Sequence, residues 1–217
     1  MSTDTSTHPN DLHDLEAQLT RHLELDVQAQ DLLFREARTA NAFTDEPVSD
    51  EQVRAVYDLV KWAPTSMNIQ PLRIVLVRSP EARERLVGHL SPGNQPKTSE
   101  APLVAILAAD HSFHDEMERT FPIRPAAREL FVGDDDFRGF TARLNATLQV
   151  AYFIIGVRAA GLAAGPMTGF DVDGVTHEFF PDGEHRALVV VNLGHPADDA
   201  WMDRLPRLDY EDVVTTV

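Results

Sequence analysis

The chain has 217 residues, of which 43% are hydrophobic and 25% are charged, and these proportions are typical of a globular protein. A net charge of −16 argues against a nucleic-acid partner, and the absence of cysteine excludes disulfides and thiolate metal sites. No apolar stretch approaches the roughly 20 residues that cross a bilayer, and no secretory signal pattern opens the chain. We therefore expect a cytoplasmic protein without a membrane or nucleic-acid partner.

The chain is predicted to consist of an acidic N-terminal extension, residues 1–26, and a single domain, residues 27–217. Leucines at helical spacing predict an amphipathic helix over Asp11–Leu23 within the extension. A second predicted helix, Val27–Ala37, begins the domain.

Further predicted helices and strands follow in an irregular order. Ser49 and Gln52 have the spacing of a capping box at the start of a helix that ends near Trp62. The other predicted helices are Pro80–Leu90, Phe137–Ala160 and Asp171–Phe180, and the predicted strands are Leu72–Val77, Leu103–Ala109 and Ala187–Leu193. Residues 110–134 predict short helices and a mobile lid, and Tyr210–Val214 fits either a strand or a last helical turn. This order predicts the α+β class rather than a regular βαβ alternation.

The longest helical pattern, Phe137–Ala160, carries an apolar stripe and becomes apolar on nearly all sides from Val150 onward. It therefore predicts a central buried helix, either in the core of a monomer or shared across a dimer. The stripe consists of Phe137, Phe140, Leu144, Leu148, Ala151 and Ile155.

The segment with the most chemical information is a polar loop, Ala63–Pro71, between a predicted helix and a predicted strand. It combines two hydroxyls and two amides between Pro64 and Pro71, and these groups suit the edge of a flat heteroaromatic ring or a polyol better than a metal. The same composition also fits an ordinary turn that ends a helix, with no ligand at all.

Five segments resemble motifs of the nitroreductase superfamily, and they occur in the family's order. The loop Ala63-Pro64-Thr65-Ser66-Met67-Asn68-Ile69-Gln70-Pro71 resembles its flavin-binding loop, and Ala37-Arg38-Thr39-Ala40-Asn41-Ala42-Phe43 resembles its N-terminal phosphate motif. The other three are Asn94-Gln95-Pro96-Lys97, Gly165-Pro166-Met167-Thr168-Gly169-Phe170-Asp171 and Arg204-Leu205-Pro206-Arg207. The resemblance implies a nitroreductase-like fold, with a central, mainly antiparallel sheet flanked by helices, in an intertwined homodimer that binds FMN and uses NAD(P)H as electron donor.

The resemblance also implies a role for each matched residue. The FMN phosphate would be held by Arg38, Thr39 and Arg204. The ribityl chain or the polar edge of the ring would meet Pro64, Thr65, Ser66 and Asn68, with Thr65 and Ser66 reaching across the dimer. Asn94 and Lys97 would contact the pyrimidine end of the flavin, and the turn formed by Pro166, Met167, Thr168 and Gly169 would present backbone amides to N5. No side chain is expected to act as catalytic acid or base.

The phosphate motif departs from the family's usual wording at two positions. Ala37 and Asn41 stand where basic residues are usual, so the phosphate and N1 regions have less positive charge than in typical nitroreductases, and Lys97 gains importance beside Asn41 as a cofactor-binding residue. The same departures, with the details of the other motifs, resemble the malonic semialdehyde reductase branch. That branch implies reduction of malonic semialdehyde, or a similar small aldehyde, to 3-hydroxypropionate by ping-pong hydride transfer through flavin N5. The alternatives are a broad nitroaromatic or quinone reductase, and a flavin-binding carrier or sensor without turnover.

Two further patterns have simpler interpretations. His111 and His114 lie among carboxylates, yet histidines three apart in a charged segment more often form a solvated surface than a metal site. The run Asp134–Asp136 precedes a predicted helix, whose N-terminal dipole favours acidic residues. We therefore expect no metal.

Overall fold

The computed structural model describes residues 22–217, so the predicted helix Asp11–Leu23 lies, apart from its last two residues, outside the described residues. The chain divides into two compact units, Met1–Ala37 and Arg38–Val217. In the first unit, helix α1 (Val27–Gln30) continues as a π-helical turn through Arg35. The predicted second helix is therefore present, and it is capped at its start by the Asp26 carboxylate.

The second unit is built on a four-stranded antiparallel sheet in the order β1-β2-β4-β3. The strands are β1 Leu72–Val77, β2 Leu103–Asp110, β3 Ala163–Met167 and β4 His185–Gly194. The helices are α2 Asp50–Val60, α3 Pro80–Gly88, α4 Gln95–Glu100, α5 Met117–Thr120, α6 Asp135–Ala159, α7 Val172–Phe179 and α8 Tyr210–Val213. Short 3-10 turns occupy Ser66–Asn68, Pro92–Asn94, Phe113–Glu116 and Pro125–Phe131. This arrangement confirms the predicted α+β class.

Helices cover both faces of the sheet, and β2 is buried along its whole length as a result. Its alternate residues point in opposite directions. Val104 and Ile106 pack into a core with residues of α3 and α7, whereas Leu103, Ala105 and Leu107 pack into a second core with residues of α2 and α6. The predicted strands at β1, β2 and β4 are confirmed.

Strand β3 was not predicted, and its composition explains why. Ala163-Ala164-Gly165-Pro166-Met167 contains no β-branched or aromatic residue, and proline is excluded from central strands. Proline is tolerated here because β3 is at an edge of the sheet. Burial of both faces, rather than intrinsic propensity, therefore defines this strand.

The capping box at the start of α2 is confirmed by both of its hydrogen bonds. The Ser49 hydroxyl accepts from the Gln52 amide at 3.1 Å, and the Gln52 side-chain oxygen accepts from the Ser49 amide at 2.8 Å. Tyr57 of α2 is exposed and lines a cavity beside the polar loop. The open choice at Tyr210–Val214 is settled as a short helix, α8.

The apolar stripe of α6 is not buried in the core of its own chain, so the first of the two predicted arrangements does not hold for it. The apolar stripe points away from the sheet: Phe137, Phe140, Leu144 and Leu148 are each 46–56% exposed. The buried face of α6 instead contains small residues, such as Ala142 and Ala146, two amides, Asn145 and Gln149, and the larger apolar residues Val150, Phe153 and Val157. Helical periodicity predicts an apolar face but does not say what covers that face. Among residues 22–217, no helix is long and apolar enough to span a membrane.

Residues 111–134 form short helices, as predicted, and these are anchored by their own apolar residues. Phe113, Met117 and Phe131 are buried and pack against Ala142 and Ala146 of α6. The rings of Phe113 and Phe131 meet edge to face, with centroids 4.9 Å apart. The aromatic residues of this segment therefore tie it to the domain, while its mobility stays a prediction.

His114, which the sequence placed on a solvated surface, is buried beside this aromatic cluster. Burial lowers the pKa of His114 below its ordinary value of 6.5; the guanidinium groups of Arg138 and Arg128 add to this effect, while Asp115 and Asp110 oppose it. Burial similarly lowers the pKa of His111. Among residues 22–217, no group of three or more His, Cys, Asp or Glu residues is placed to hold a metal ion.

The lowered histidine pKa values predict how stability depends on pH. The folded state favours the neutral rings, so the unfolded chain binds more protons once the pH falls below about 6.5. Stability should therefore be highest above the unfolded pKa and fall as the pH is lowered from about 7 to about 5. Thermal unfolding over this range should show a shallower decline for His114→Leu than for the unmodified chain. Equal slopes would mean that His114 does not contribute.

Candidate functional site

Residues 38–44 cover the outer edge of β3. This segment contains most of the stretch that resembles the N-terminal phosphate motif. The amide of Ala40 donates to the Ala164 carbonyl at 3.1 Å, and the amide of Asn41 donates to the Ala200 carbonyl at 3.0 Å. A third bond joins the Thr44 amide to the His195 carbonyl at 2.9 Å. The motif is therefore held between β3 and the stretch that follows β4.

Gly165 permits this close approach. A Cβ atom at this position would lie 2.5 Å from the Ala40 carbonyl oxygen, a backbone atom that cannot rotate away. Gly165→Ala is therefore expected to displace residues 38–41 and to lower the free energy of unfolding by about 1–3 kcal/mol, as overpacking does. Chemical denaturation would measure the loss. Gly88→Ala is a matched control, since a Cβ there meets no atom within 4 Å; equal stability of both variants would contradict the prediction.

Arg38 lies at the start of this segment and faces the C-terminal stretch. Its guanidinium donates to the Met202 carbonyl at 3.3 Å and lies 5.9 Å from the centre of the Trp201 ring. Arg204, two residues after Met202, is exposed, and so is Thr39. The residues that the resemblance assigned to a phosphate thus include Arg38 and Thr39 on the motif and Arg204 on the neighbouring C-terminal stretch.

Lys97 approaches the same segment from α4. Its ammonium group lies 3.4 Å from the side-chain oxygen of Asn41, and its side chain is half-buried. The backbone around it is fixed by Asn192 of β4, whose amide donates to the Lys97 carbonyl at 3.2 Å and to the Thr98 hydroxyl at 3.1 Å. Asn192 is fully buried and was not singled out from the sequence. The sequence signal that could have identified Asn192 is a single polar amide within the otherwise apolar strand segment Val189–Leu193.

The turn after β3 completes this group. Asn94 donates to the Gly169 carbonyl at 3.0 Å, and a Cβ at Gly169 would lie 2.8 Å from the same Asn94 amide. Backbone groups of residues two apart in a strand face the same side, so Pro166 faces outward together with Ala164. Proline has no N–H there, and Met167 faces β4 by alternation. Any outward backbone donors of the turn therefore come from Thr168 and Gly169.

The polar loop Ala63–Pro71 lies at the other edge of the sheet. It leads into β1, which is separated from β3 by β2 and β4, or by about 14 Å at the usual strand spacing. Within one chain the fold therefore brings together Arg38, Asn41, Asn94, Lys97 and the 166–169 turn. It does not bring Pro64, Thr65, Ser66 and Asn68 to that group.

The loop has an unusual backbone conformation. Met67, Asn68 and Gln70 have φ values of 48°, 52° and 43°, a left-handed conformation that costs roughly 1–3 kcal/mol for a residue other than glycine. The loop lines a cavity of about 320 Å³, together with Tyr57 and Trp62. Such strain persists only where the surroundings hold the backbone in place.

Hydrogen bonds from neighbouring elements hold the loop. The Ser66 amide donates to the side-chain oxygen of Asn145 at 2.7 Å, and the Asn68 side chain donates to the Thr120 carbonyl at 2.7 Å. Gln149 accepts from the amide of Leu72, where β1 begins, at 3.0 Å. Asn145 and Gln149 were missed because the sequence interpretation of α6 followed its leucines. Two amides four residues apart in an apolar helix were the available signal.

The fold and the two groups of polar residues define an α+β protein with a cationic and amide-rich sheet edge. Residues 34–195 match the nitroreductase family, so the chain belongs to the nitroreductase family. A Streptomyces coelicolor protein, provisionally named NADH dehydrogenase/NAD(P)H nitroreductase, is 65% identical over 195 residues, which cover 90% of this chain and 99% of that protein.

Solved structures share the fold at low sequence identity. A provisionally named nitroreductase of Exiguobacterium sibiricum, in complex with FMN, has a TM-score of 0.78 at 16% identity and covers 89% of this chain and 99% of its own. A provisionally named NAD(P)H:FMN oxidoreductase of Staphylococcus epidermidis has a TM-score of 0.76 at 17% identity and covers 90% of this chain and 98% of its own. The predicted nitroreductase-like fold is confirmed.

Proposed function

We propose that this chain is an FMN-dependent NAD(P)H oxidoreductase. The observation that carries the proposal is the grouping of Arg38, Lys97, Asn41 and Asn94 along the edge of β3 in a chain whose net charge is −16. Cations gathered at one edge of an acidic protein create a local positive potential. The names of the relatives, which give NAD(P)H and FMN, support the same function.

The residues at this edge fit FMN. A guanidinium presents paired donors in a plane and suits a phosphate dianion, so Arg38 and Arg204, with the Thr39 hydroxyl, would hold the phosphate. Asn94, Lys97 and the donors of the 166–169 turn would hold the ring. When bound, FMN supplies the hydride-transfer chemistry between the nicotinamide and the substrate.

Lys97 contributes charge at a fixed position. Asn192 holds its backbone and Asn41 lies beside its ammonium group, so the positive charge is oriented before any ligand arrives. A preorganised charge stabilises negative charge in a ligand at little reorganisation cost. No side chain is proposed as a catalytic acid or base, and the remaining residues bind and orient.

We propose that two copies form the functional unit, with FMN between them. The stripe of α6 leaves four large apolar side chains about half exposed, and residues 201–217 add exposed Met202, Leu205 and Leu208. Exposed apolar side chains in this number are typical of a subunit interface. A second copy would also bring the loop residues Pro64, Thr65, Ser66 and Asn68 to the β3 edge that one chain leaves without them.

For the substrate we propose malonic semialdehyde, or a similar small aldehyde, which would be reduced to 3-hydroxypropionate. The support is the wording of the motifs, including Ala37 and Asn41 where basic residues are usual. A nitroaromatic or quinone reductase is the second candidate, supported by the name of the Streptomyces coelicolor relative. We further propose a cytoplasmic location, and residues 1–26 as an extension to an FMN-binding domain over residues 27–217.

The proposed cofactor is tested by the visible spectrum of the purified protein. The protein should be yellow, or become so when FMN is added, and NADPH or NADH should bleach the flavin band. A protein that remains colourless after addition of FMN would contradict the proposal. A bound flavin that neither nicotinamide reduces would instead favour a carrier or sensor.

Steady-state kinetics separate the two substrate classes. Parallel double-reciprocal lines are expected, because the nicotinamide and the acceptor would use the same site in turn. A higher kcat/KM for malonic semialdehyde than for a panel of nitroaromatics and quinones would support the aldehyde; the reverse order would assign the second candidate.

A further inference from the structure

The polar loop adopts a backbone conformation that its own residues do not favour. Met67, Asn68 and Gln70 are all left-handed, and none of them is glycine. The side chain of Ile69 is buried and anchors the loop's C-terminal half against Phe113 and Phe131. In the N-terminal half Ala63 is buried, but Pro64 and Ser66 are exposed, so the stretch around Ser66 needs a separate anchor.

Asn145 provides that anchor from the inner face of α6. It is 4% exposed, and both ends of its amide are used. Its oxygen accepts from the Ser66 amide at 2.7 Å, and its nitrogen donates to the Thr141 carbonyl at 2.9 Å. Asparagine is a poor residue for a helix interior, and a buried amide is unfavourable unless it is hydrogen-bonded. Its place in α6 is therefore accounted for by the loop, not by the helix.

We propose that Asn145 is a positioning residue that sets the conformation of the flavin-binding loop through the Ser66 backbone amide. This inference rests on the proposed function, because it assigns to the loop the contact with FMN across the dimer. Asn145 does not touch the cofactor. It acts by keeping the Thr65 and Ser66 hydroxyls and the Asn68 amide in one arrangement.

The same helix connects this anchor to the proposed subunit interface. Leu144 and Leu148 are on the exposed outer face of α6, whereas Asn145 and Gln149 follow each of them on the inner face. Gln149 holds the Leu72 amide and thereby fixes the other end of the loop, where β1 begins. One rigid helix thus carries the surface proposed to meet the second copy and the two amides that hold the loop.

The test compares Asn145→Leu with Asn145→Asp in the full-length protein. Leucine keeps the branched shape of asparagine in a somewhat larger side chain but removes the acceptor for the Ser66 amide, and we expect FMN affinity to fall by roughly tenfold to a hundredfold. Aspartate accepts from the Ser66 amide in either protonation state, and a protonated aspartic acid also donates to Thr141, so Asn145→Asp should retain more FMN affinity than Asn145→Leu and retain it best at low pH. Thr147→Ala, at an exposed position of the same helix, is the control and should leave affinity unchanged.

Two further measurements distinguish positioning from general destabilisation. In FMN-free protein, hydrogen exchange of residues 64–71 should quicken in Asn145→Leu while exchange in β2 and β4 stays unchanged. The loss of FMN affinity should also be non-additive with Asn68→Ala, within the loop, and additive with Lys97→Ala, at the other edge of the sheet.

The outcomes separate the two proposals. If the unmodified protein does not bind FMN, the proposed function fails, while the exchange measurement still tests the anchor. If the unmodified protein binds FMN and Asn145→Leu binds it equally well, or if exchange quickens uniformly across the domain, the positioning role of Asn145 is overturned.

Discussion

The double substitution Leu144→Glu and Leu148→Glu is expected to separate the proposed dimer into monomers. Both side chains are about half exposed in the single chain, so their replacement should leave the fold of each copy intact. In a dimer, two carboxylates per copy would have to leave water without a partner. We expect the dissociation constant of the dimer to rise by at least about a hundredfold, and bound FMN to be lost with it. Sedimentation velocity would measure both, with detection at the flavin band.

The control for this prediction is Arg143→Glu. It changes the charge of the same helix by the same two units, and it is exposed but rotated by about 100° from Leu144. The control should remain a dimer and stay yellow. If the double variant sediments like the unmodified protein, the stripe is not a subunit interface; if the unmodified protein is already monomeric, the shared site is wrong as well.

Lys97→Ala and Arg204→Ala are expected to weaken FMN retention by about 1–3 kcal/mol each, the usual value of a charge-assisted contact. This corresponds to roughly a fivefold to 150-fold rise in the dissociation constant. The loss of FMN affinity should be larger for Lys97→Ala than for Arg204→Ala, because Asn192 holds Lys97 in place and no basic residue occupies position 41. Titration of FMN-free protein, followed by flavin fluorescence, measures both constants.

Arg85→Ala is the matched control, because it removes one positive charge from α3, where Arg85 pairs with Glu178. Its FMN affinity should be unchanged. Unaltered affinity in both Lys97→Ala and Arg204→Ala would reject the assignment of the β3 edge to FMN, whereas an equal loss in Arg85→Ala would indicate a general charge effect.

Much of the fold could be predicted because local patterns and tertiary packing agree. The capping box at Ser49 and the strands at β1, β2 and β4 follow from spacing and from β-branched composition. Strand β3 could not be found in this way, since Ala163–Met167 has no strand propensity and is defined by its neighbours. The sequence leaves open what covers the apolar stripe of α6, because leucines at helical spacing mark an apolar surface and only the folded chain shows whether the sheet covers it.

The candidate site was predictable as a set of residues but not as an arrangement. Motif order identified Arg38, Asn94 and Lys97, which the fold places along one edge of the sheet. The sequence carries no direct signal for the strand order, so it could not show that the loop Ala63–Pro71 lies at the opposite edge. Asn145 and Asn192 have no motif around them, and their importance becomes visible only through the backbone groups they hold.

The packing of residues 38–44 against β3 and the stretch after β4 has a consequence for biosynthesis. Arg38 and Met202 are separated by 164 positions, and Ala40 and Asn41 bond to β3 and to Ala200, all of which are translated late. The start of the domain must therefore wait for nearly all of the polypeptide to leave the ribosome before it can dock. Nascent chains that stop before about residue 200 should be unable to assemble the cationic group along the β3 edge, however well their earlier helices have formed.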